Sequence, residues 1–115
     1  MLIIKNINDE ILLLKRPSTG IWGGLWSFPE CDLHHDYYLF SHKDISLKLQ
    51  YIDELEKITH QFTHFTLDIF PMVLSTSHRA AHKLDSTQLI WYKLNTALPG
   101  GVSTPVAKIL KVLKL

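Results

Sequence analysis

Arg16-Pro17-Ser18-Thr19-Gly20-Ile21-Trp22-Gly23-Gly24-Leu25-Trp26-Ser27-Phe28-Pro29 is the stretch on which the fold is decided. It follows two apolar, β-branched runs, Leu2 to Asn6 and Ile11 to Lys15. Asn8-Asp9-Glu10 separates them, so the chain is expected to open with a β-hairpin. Pro17, Gly20, Gly23, Gly24 and Pro29 then punctuate a long loop. A loop holding Trp22, Leu25, Trp26 and Phe28 is not floppy, because four large apolar side chains fold back onto a core. Paired glycines let backbone amides approach a ligand or phosphate. They serve a tight turn equally well, and on composition alone the turn is the better reading.

Working outward, Leu55 to Phe62 and Phe65 to Leu74 read as two strands. In the second, Phe65, Leu67 and Ile69 alternate with Thr66 and Asp68, the period of a half-buried strand. Pro71 places its later half at a bulge or on an edge. Between the two strands, His60-Gln61-Phe62-Thr63-His64-Phe65 puts an aromatic ring, a hydroxyl and an imidazole on consecutive positions at a turn. That set can stack on a base, hydrogen-bond its edge and contact a phosphate. Tyr38, Leu39 and His42 stand at helical spacing, which predicts a short helix from His34 to His42. His78 to Thr87 reads as a polar loop and Leu89 to Leu94 as a strand. Thr104 can cap a closing helix with Pro105 at its first position. Val106, Ile109, Leu110 and Leu113 form its apolar stripe. Lys108, Lys111 and Lys114 line another face, read as a solvated face near the negative helix end. Strands with two interspersed helices make an α+β or α/β sandwich.

With 115 residues and 13.3 kDa the chain is read as one domain, residues 1–115. Hydrophobic residues at 46% and charged residues at 20% are an ordinary globular balance. No apolar run reaches the ~20 residues that span a bilayer. The opening Met1-Leu2-Ile3-Ile4-Lys5 lacks the pattern of a signal peptide, so a soluble intracellular protein is the expectation. Cys31 is the single cysteine, which excludes an internal disulfide, a four-cysteine zinc site and a cysteine-ligated iron–sulfur cluster within this chain. A net charge of +1 does not mark an autonomous tight DNA binder. His60/His64 and His78/His82 are spaced four apart, which favours a shared metal only on a helix. No metal site is expected from them, and nothing resembles a nucleophile elbow.

Taken together, these motifs resemble a family. Leu12 to Pro29 is similar to the strand and loop that precede the catalytic helix of Nudix hydrolases, the MutT-like pyrophosphatases. In its fuller form, R-P-x-x-G-[IL]-W-G-G-L-[WY]-x-F-P, it resembles the C-terminal domain of the MutY family of adenine DNA glycosylases. So does His60-x-Phe62-[Ser/Thr]63-His64-Phe65-x-Leu67-Asp68-Ile69-x-Pro71-Met72 and, more weakly, Trp91-Tyr92 and the Thr104-Pro105-Val106 helix. The resemblance covers nearly the whole chain. It implies a Nudix-like α/β/α sandwich of class α+β, with a mixed sheet and two helices.

What is missing separates two functions. A Nudix pyrophosphatase carries G-x5-E-x7-R-E-x2-E-E-x-G after the loop, whose clustered glutamates hold Mg²⁺ and so activate water. Glu30 to Gln50 offers only Glu30, Asp32, Asp36 and Asp44; Glu54 and Glu56 come late, in a strand-like stretch where both would face one side. Cleavage of nucleoside triphosphates is therefore the alternative. The leading expectation is the lesion-reading domain of a glycosylase, with no catalytic residue and no cofactor of its own.

By the resemblance, an iron–sulfur cluster and the catalytic residues would sit in an N-terminal glycosylase domain of the same protein. The partners would be that domain and double-stranded DNA carrying 8-oxoguanine opposite adenine, with no membrane, in a bacterial cytoplasm. The family's Phe-Ser-His element maps onto Phe62, Thr63 and His64, with His60 and Gln61 as weaker candidates. Oxidation turns the guanine N7 acceptor into an N–H donor, so a reader needs an acceptor there. The resemblance gives that role to Thr63 Oγ1, a wedge at the base step to Phe62, and loop support or a backbone contact to His64. Threonine departs from the family's commoner serine: the hydroxyl stays, and a methyl stiffens χ1. His78-Arg79-Ala80-Ala81-His82-Lys83 is a basic stretch read as a solvated loop.

Overall fold

The computed structural model describes residues 1–31, 39–42, 45–77 and 88–114. The opening hairpin pairs β1 (Leu2–Lys5) antiparallel with β2 (Glu10–Lys15). Its turn is held by Asn6, whose side-chain oxygen accepts from the amides of Asn8 and Glu10 at 2.9 Å each. That is why a buried asparagine is tolerated there. Asp9 takes a φ of +60° to close the turn.

The remaining strands are β3 (Trp26–Ser27), β4 (Leu39–His42), β5 (Ile45–Lys48), β6 (Gln50–Glu54), β7 (Ile58–Gln61), β8 (Thr66–Ile69), β9 (Met72–Ser75) and β10 (Leu89–Lys93). A mixed sheet runs β10-β2-β1-β9-β6, with β3 on β2; β1 and β9 are parallel and its other pairs antiparallel. β4 and β5 form one separate hairpin and β7 and β8 another.

Period-2 alternation sorts the central strands between two apolar layers. Ile3, Ile11, Leu13 and Val73 face one side, where they meet Trp26, Phe28 and Tyr92 and the helix residues Val106, Ile109 and Leu110. Leu2, Ile4, Leu12 and Leu74 face the other, against Leu47, Leu49 and Leu89. Burial on both faces explains why β1 and β2 read as continuous apolar runs rather than alternating ones.

Helix α1 (Thr104–Leu113) closes the chain. Its cap is Ser103, one residue before the threonine expected to do so; Ser103 Oγ accepts from the Val106 amide at 3.4 Å. Pro105 thus falls one position inside, still within the first turn, where its missing N–H leaves no intrahelical bond unmade.

Other expectations need correction. Residues 39–42 are strand, not the end of a helix: Phe40 pairs with Leu47 and packs into the second layer, while Leu39 and Ser41 are exposed. Three residues at helical spacing are too few to outweigh that alternation. The 34–38 part of the expected helix and the loop 78–87, with its basic stretch and His78/His82 pair, lie outside the described residues. Among the described residues there is therefore one helix, in an α+β fold dominated by the mixed sheet. The expected strand Leu55 to Phe62 begins three residues late, and an exposed edge strand, β6, precedes it. Pro71 marks a break rather than a bulge: β8 stays in its hairpin, and β9 enters the main sheet after it. No helix among the described residues is long and apolar enough to cross a membrane.

Candidate nucleic-acid interface

β7 and β8 pair in the register Ile58↔Ile69, Thr59↔Asp68, His60↔Leu67 and Gln61↔Thr66. Continuing it sets Phe62 opposite Phe65, and the Phe62 amide donates to the Phe65 carbonyl at 2.8 Å. Thr63 and His64 are left as a two-residue tip, both exposed. Lower down, Thr59 Oγ1 donates to Asp68 Oδ1 at 2.9 Å, tying the two strands.

Rings hold this tip. Phe62 and Phe65 stack with centroids 4.5 Å apart and planes 22° apart. Phe62 also meets His60 edge-on at 4.7 Å and Trp22 at 5.4 Å, and Trp22 meets His60 edge-on at 5.4 Å. Each such pair contributes about 0.5–1.5 kcal/mol beyond its buried area. Phe62 is accordingly half-buried, whereas Phe65 remains 48% exposed.

Trp22 reaches the turn because the glycine loop aims it there. It sits at φ +55°, between Gly20 at +89° and Gly24 at +76°. Gly23 is packed so closely that a Cβ would lie 2.5 Å from the Ser18 carbonyl oxygen. The Gly24 amide faces the carbonyls of Arg16 and Pro17 at 3.2 and 3.0 Å. Arg16 fastens the base of the loop, donating from Nε to the Ile21 carbonyl at 3.1 Å and from Nη1 to Glu30 Oε1 at 2.6 Å. The glycines therefore shape a turn: the Gly24 amide is taken by backbone carbonyls, and Gly23 has no room for a side chain. Two stretches roughly forty residues apart in sequence make one physical unit, joined through Trp22.

The NUDIX domain model matches residues 1–112. The chain belongs to the Nudix domain family. Several adenine DNA glycosylases are similar to this Nudix domain. That of Buchnera aphidicola subsp. Baizongia pistaciae is 30% identical, over 97% of this chain and 31% of its own length. That of Buchnera aphidicola subsp. Schizaphis graminum is 26% identical, over 97% of this chain and 32% of its own length. The rat enzyme is 28% identical, over 89% of this chain and 21% of its own length. This Nudix domain thus spans no more than about a third of these relatives, and it matches their C-terminal part.

The described residues do not fit the magnesium that Nudix hydrolysis requires, and Asp32, Asp36 and Asp44 lie outside them. The Arg-Glu-x-x-Glu-Glu run is absent from the sequence. Glu30, the acid nearest the loop, is held by the Arg16 guanidinium. Glu54 ends β6, and Glu56 lies in the connection after it, so the two do not share one strand face as expected. Among the described residues no three of His, Cys, Asp and Glu gather as a metal site.

Of the residues singled out from sequence, Thr63 and His64 form the tip, Phe62 flanks it, His60 meets Phe62 and Trp22, and Gln61 is exposed on β7. Trp22 was expected to pack on the core and instead supports the turn. A tryptophan followed by two glycines signals a bend at that ring, but not which surface it meets.

Proposed function

We propose that this Nudix domain is the lesion-reading part of an adenine DNA glycosylase, recognising 8-oxoguanine opposite the mispaired adenine without chemistry of its own. The observation carrying this reading is the Thr63–His64 tip, exposed on a hairpin whose rings are braced by Trp22. A braced tip loses little conformational freedom when it docks, so its hydroxyl is presented at low entropic cost. Thr63 Oγ1 accepts from the N7–H of 8-oxoguanine; against unmodified guanine, whose N7 only accepts, the hydroxyl has to turn its own O–H round to donate and give up the partner that proton has while Oγ1 accepts. His64 contacts the adjacent phosphate, and Phe62 wedges at the base step from within its ring cluster. The relatives' name and their greater length support a parent protein that carries the glycosylase activity. Its catalytic residues and iron–sulfur cluster lie in a separate N-terminal domain in this reading, since Cys31 alone cannot ligate a cluster. The assembled protein works on DNA in the bacterial cytoplasm.

Adding the domain to its catalytic partner, in trans or fused, is expected to raise preference for adenine opposite 8-oxoguanine over adenine opposite guanine. The Phe62→Ala/Thr63→Ala variant should lose most of that gain, and unchanged discrimination would sink the assignment. The chain with Mg²⁺ and 8-oxo-dGTP should release no pyrophosphate or phosphate; sustained turnover would make it a pyrophosphatase instead.

A further inference from the structure

We infer that Phe65, not only Phe62, is a base-stacking surface of this turn. Among the described residues Phe62 has three ring neighbours, with Trp22, His60 and Phe65 all within 5.4 Å of its ring centroid. Those contacts leave less of its ring open to a base than Phe65 offers. Phe65 has Phe62 behind it and is 48% exposed. The two phenylalanines flank a two-residue tip as a cross-strand pair, so their rings rise from the same face of the hairpin.

At 22° their planes are close to parallel, and a base laid on Phe65 would extend the stack by one member. Every base has a π-face, so such stacking tolerates any sequence. It would also bring the base within reach of the adjacent Thr63 and His64. Phe65 supplies affinity in this arrangement and Thr63 supplies discrimination. Trp22 and His60 are positioning residues that hold the Phe62 ring, against which Phe65 stacks.

The inference rests on the proposed DNA-reading role, but its test separates the two. The 115-residue chain is titrated at low salt against duplexes carrying 2-aminopurine beside either 8-oxoguanine or guanine. Wild type should bind both and change the 2-aminopurine emission. Phe65→Ala and Phe65→Leu should each weaken binding to both duplexes by about tenfold and abolish the emission change. Phe65→Tyr, which keeps the π-face, should retain both. Because Phe65 is 48% exposed and its one ring partner among the described residues is Phe62, these variants should stay folded, with a small drop in melting temperature from the lost stack.

Lesion reading is scored separately, as the affinity ratio between the two duplexes in wild type and Thr63→Ala. A wild type that stacks on both duplexes with a ratio of one would refute lesion reading and leave Phe65 stacking intact. Phe65→Ala and Phe65→Leu behaving like wild type would overturn the inference. So would a wild type that binds neither duplex, or a Phe65→Ala effect confined to self-association.

Discussion

Replacing Trp26 by alanine is expected to lower the free energy of unfolding by about 3–5 kcal/mol. Trp26 is 7% exposed and lies where three parts of the chain meet. Its backbone pairs with Lys15 on β2 and bridges Val102, and its amide donates to the Gly101 carbonyl at 2.9 Å. Its indole lies so close to Gly100 that a Cβ there would be 3.1 Å from Cδ1 and Nε1. It belongs to the layer that α1 covers. Deleting the indole opens a cavity between sheet and helix that neither backbone is free to fill. Domains of this size have roughly 5–15 kcal/mol in all, so the variant should be marginal at 37 °C. Urea unfolding followed by far-UV circular dichroism measures the effect. A loss under 1 kcal/mol would mean that the loop does not anchor the core.

Gly23→Ala is the second large effect, and the more informative for function. A Cβ at this position meets the Ser18 carbonyl oxygen at 2.5 Å and its carbon at 2.8 Å. Both atoms are backbone, so no side chain can rotate away, and the loop itself must open. The expected cost is about 1–3 kcal/mol. Opening also strains the bonds from the Gly24 amide to Arg16 and Pro17, which fix the turn carrying Trp22. Trp22 should then leave His60 and Phe62. Hydrogen exchange is therefore expected to accelerate together in residues 16–25 and 60–65. Exchange rising only in 16–25 would show that the loop and the reading turn are uncoupled.

How far the sequence reaches depends on how local each signal is. β1, β2, β10 and α1 were legible because their apolar patterns are dense and their neighbours confirm them. β6 was not: all five of its residues are exposed, so nothing in its pattern betrays an edge strand that pairs, among the described residues, with β9. The part of the expected His34 to His42 helix that is described, residues 39–42, is strand because Phe40 packs opposite Leu47, a partner effect invisible in a four-residue window. The turn at Phe62-Thr63-His64 was legible as a turn between two strands, whereas its base-reading roles come from the family resemblance. Trp22 and Phe65 were not assigned to it. One arrives from a loop roughly forty residues away, and the other reads from sequence as an ordinary strand position.

The central claim is that the Thr63 hydroxyl accepts the proton that 8-oxoguanine carries on N7. The most direct measurement is the ratio of dissociation constants for duplexes with 8-oxoguanine and with guanine opposite adenine, in wild type, Thr63→Ser and Thr63→Val. Serine keeps the acceptor, whereas valine keeps the branched shape and removes it. The ratio should hold in Thr63→Ser and fall about tenfold in Thr63→Val, as expected for one hydrogen bond of about 1.4 kcal/mol. A Thr63→Val protein that discriminates as well as wild type would contradict the account.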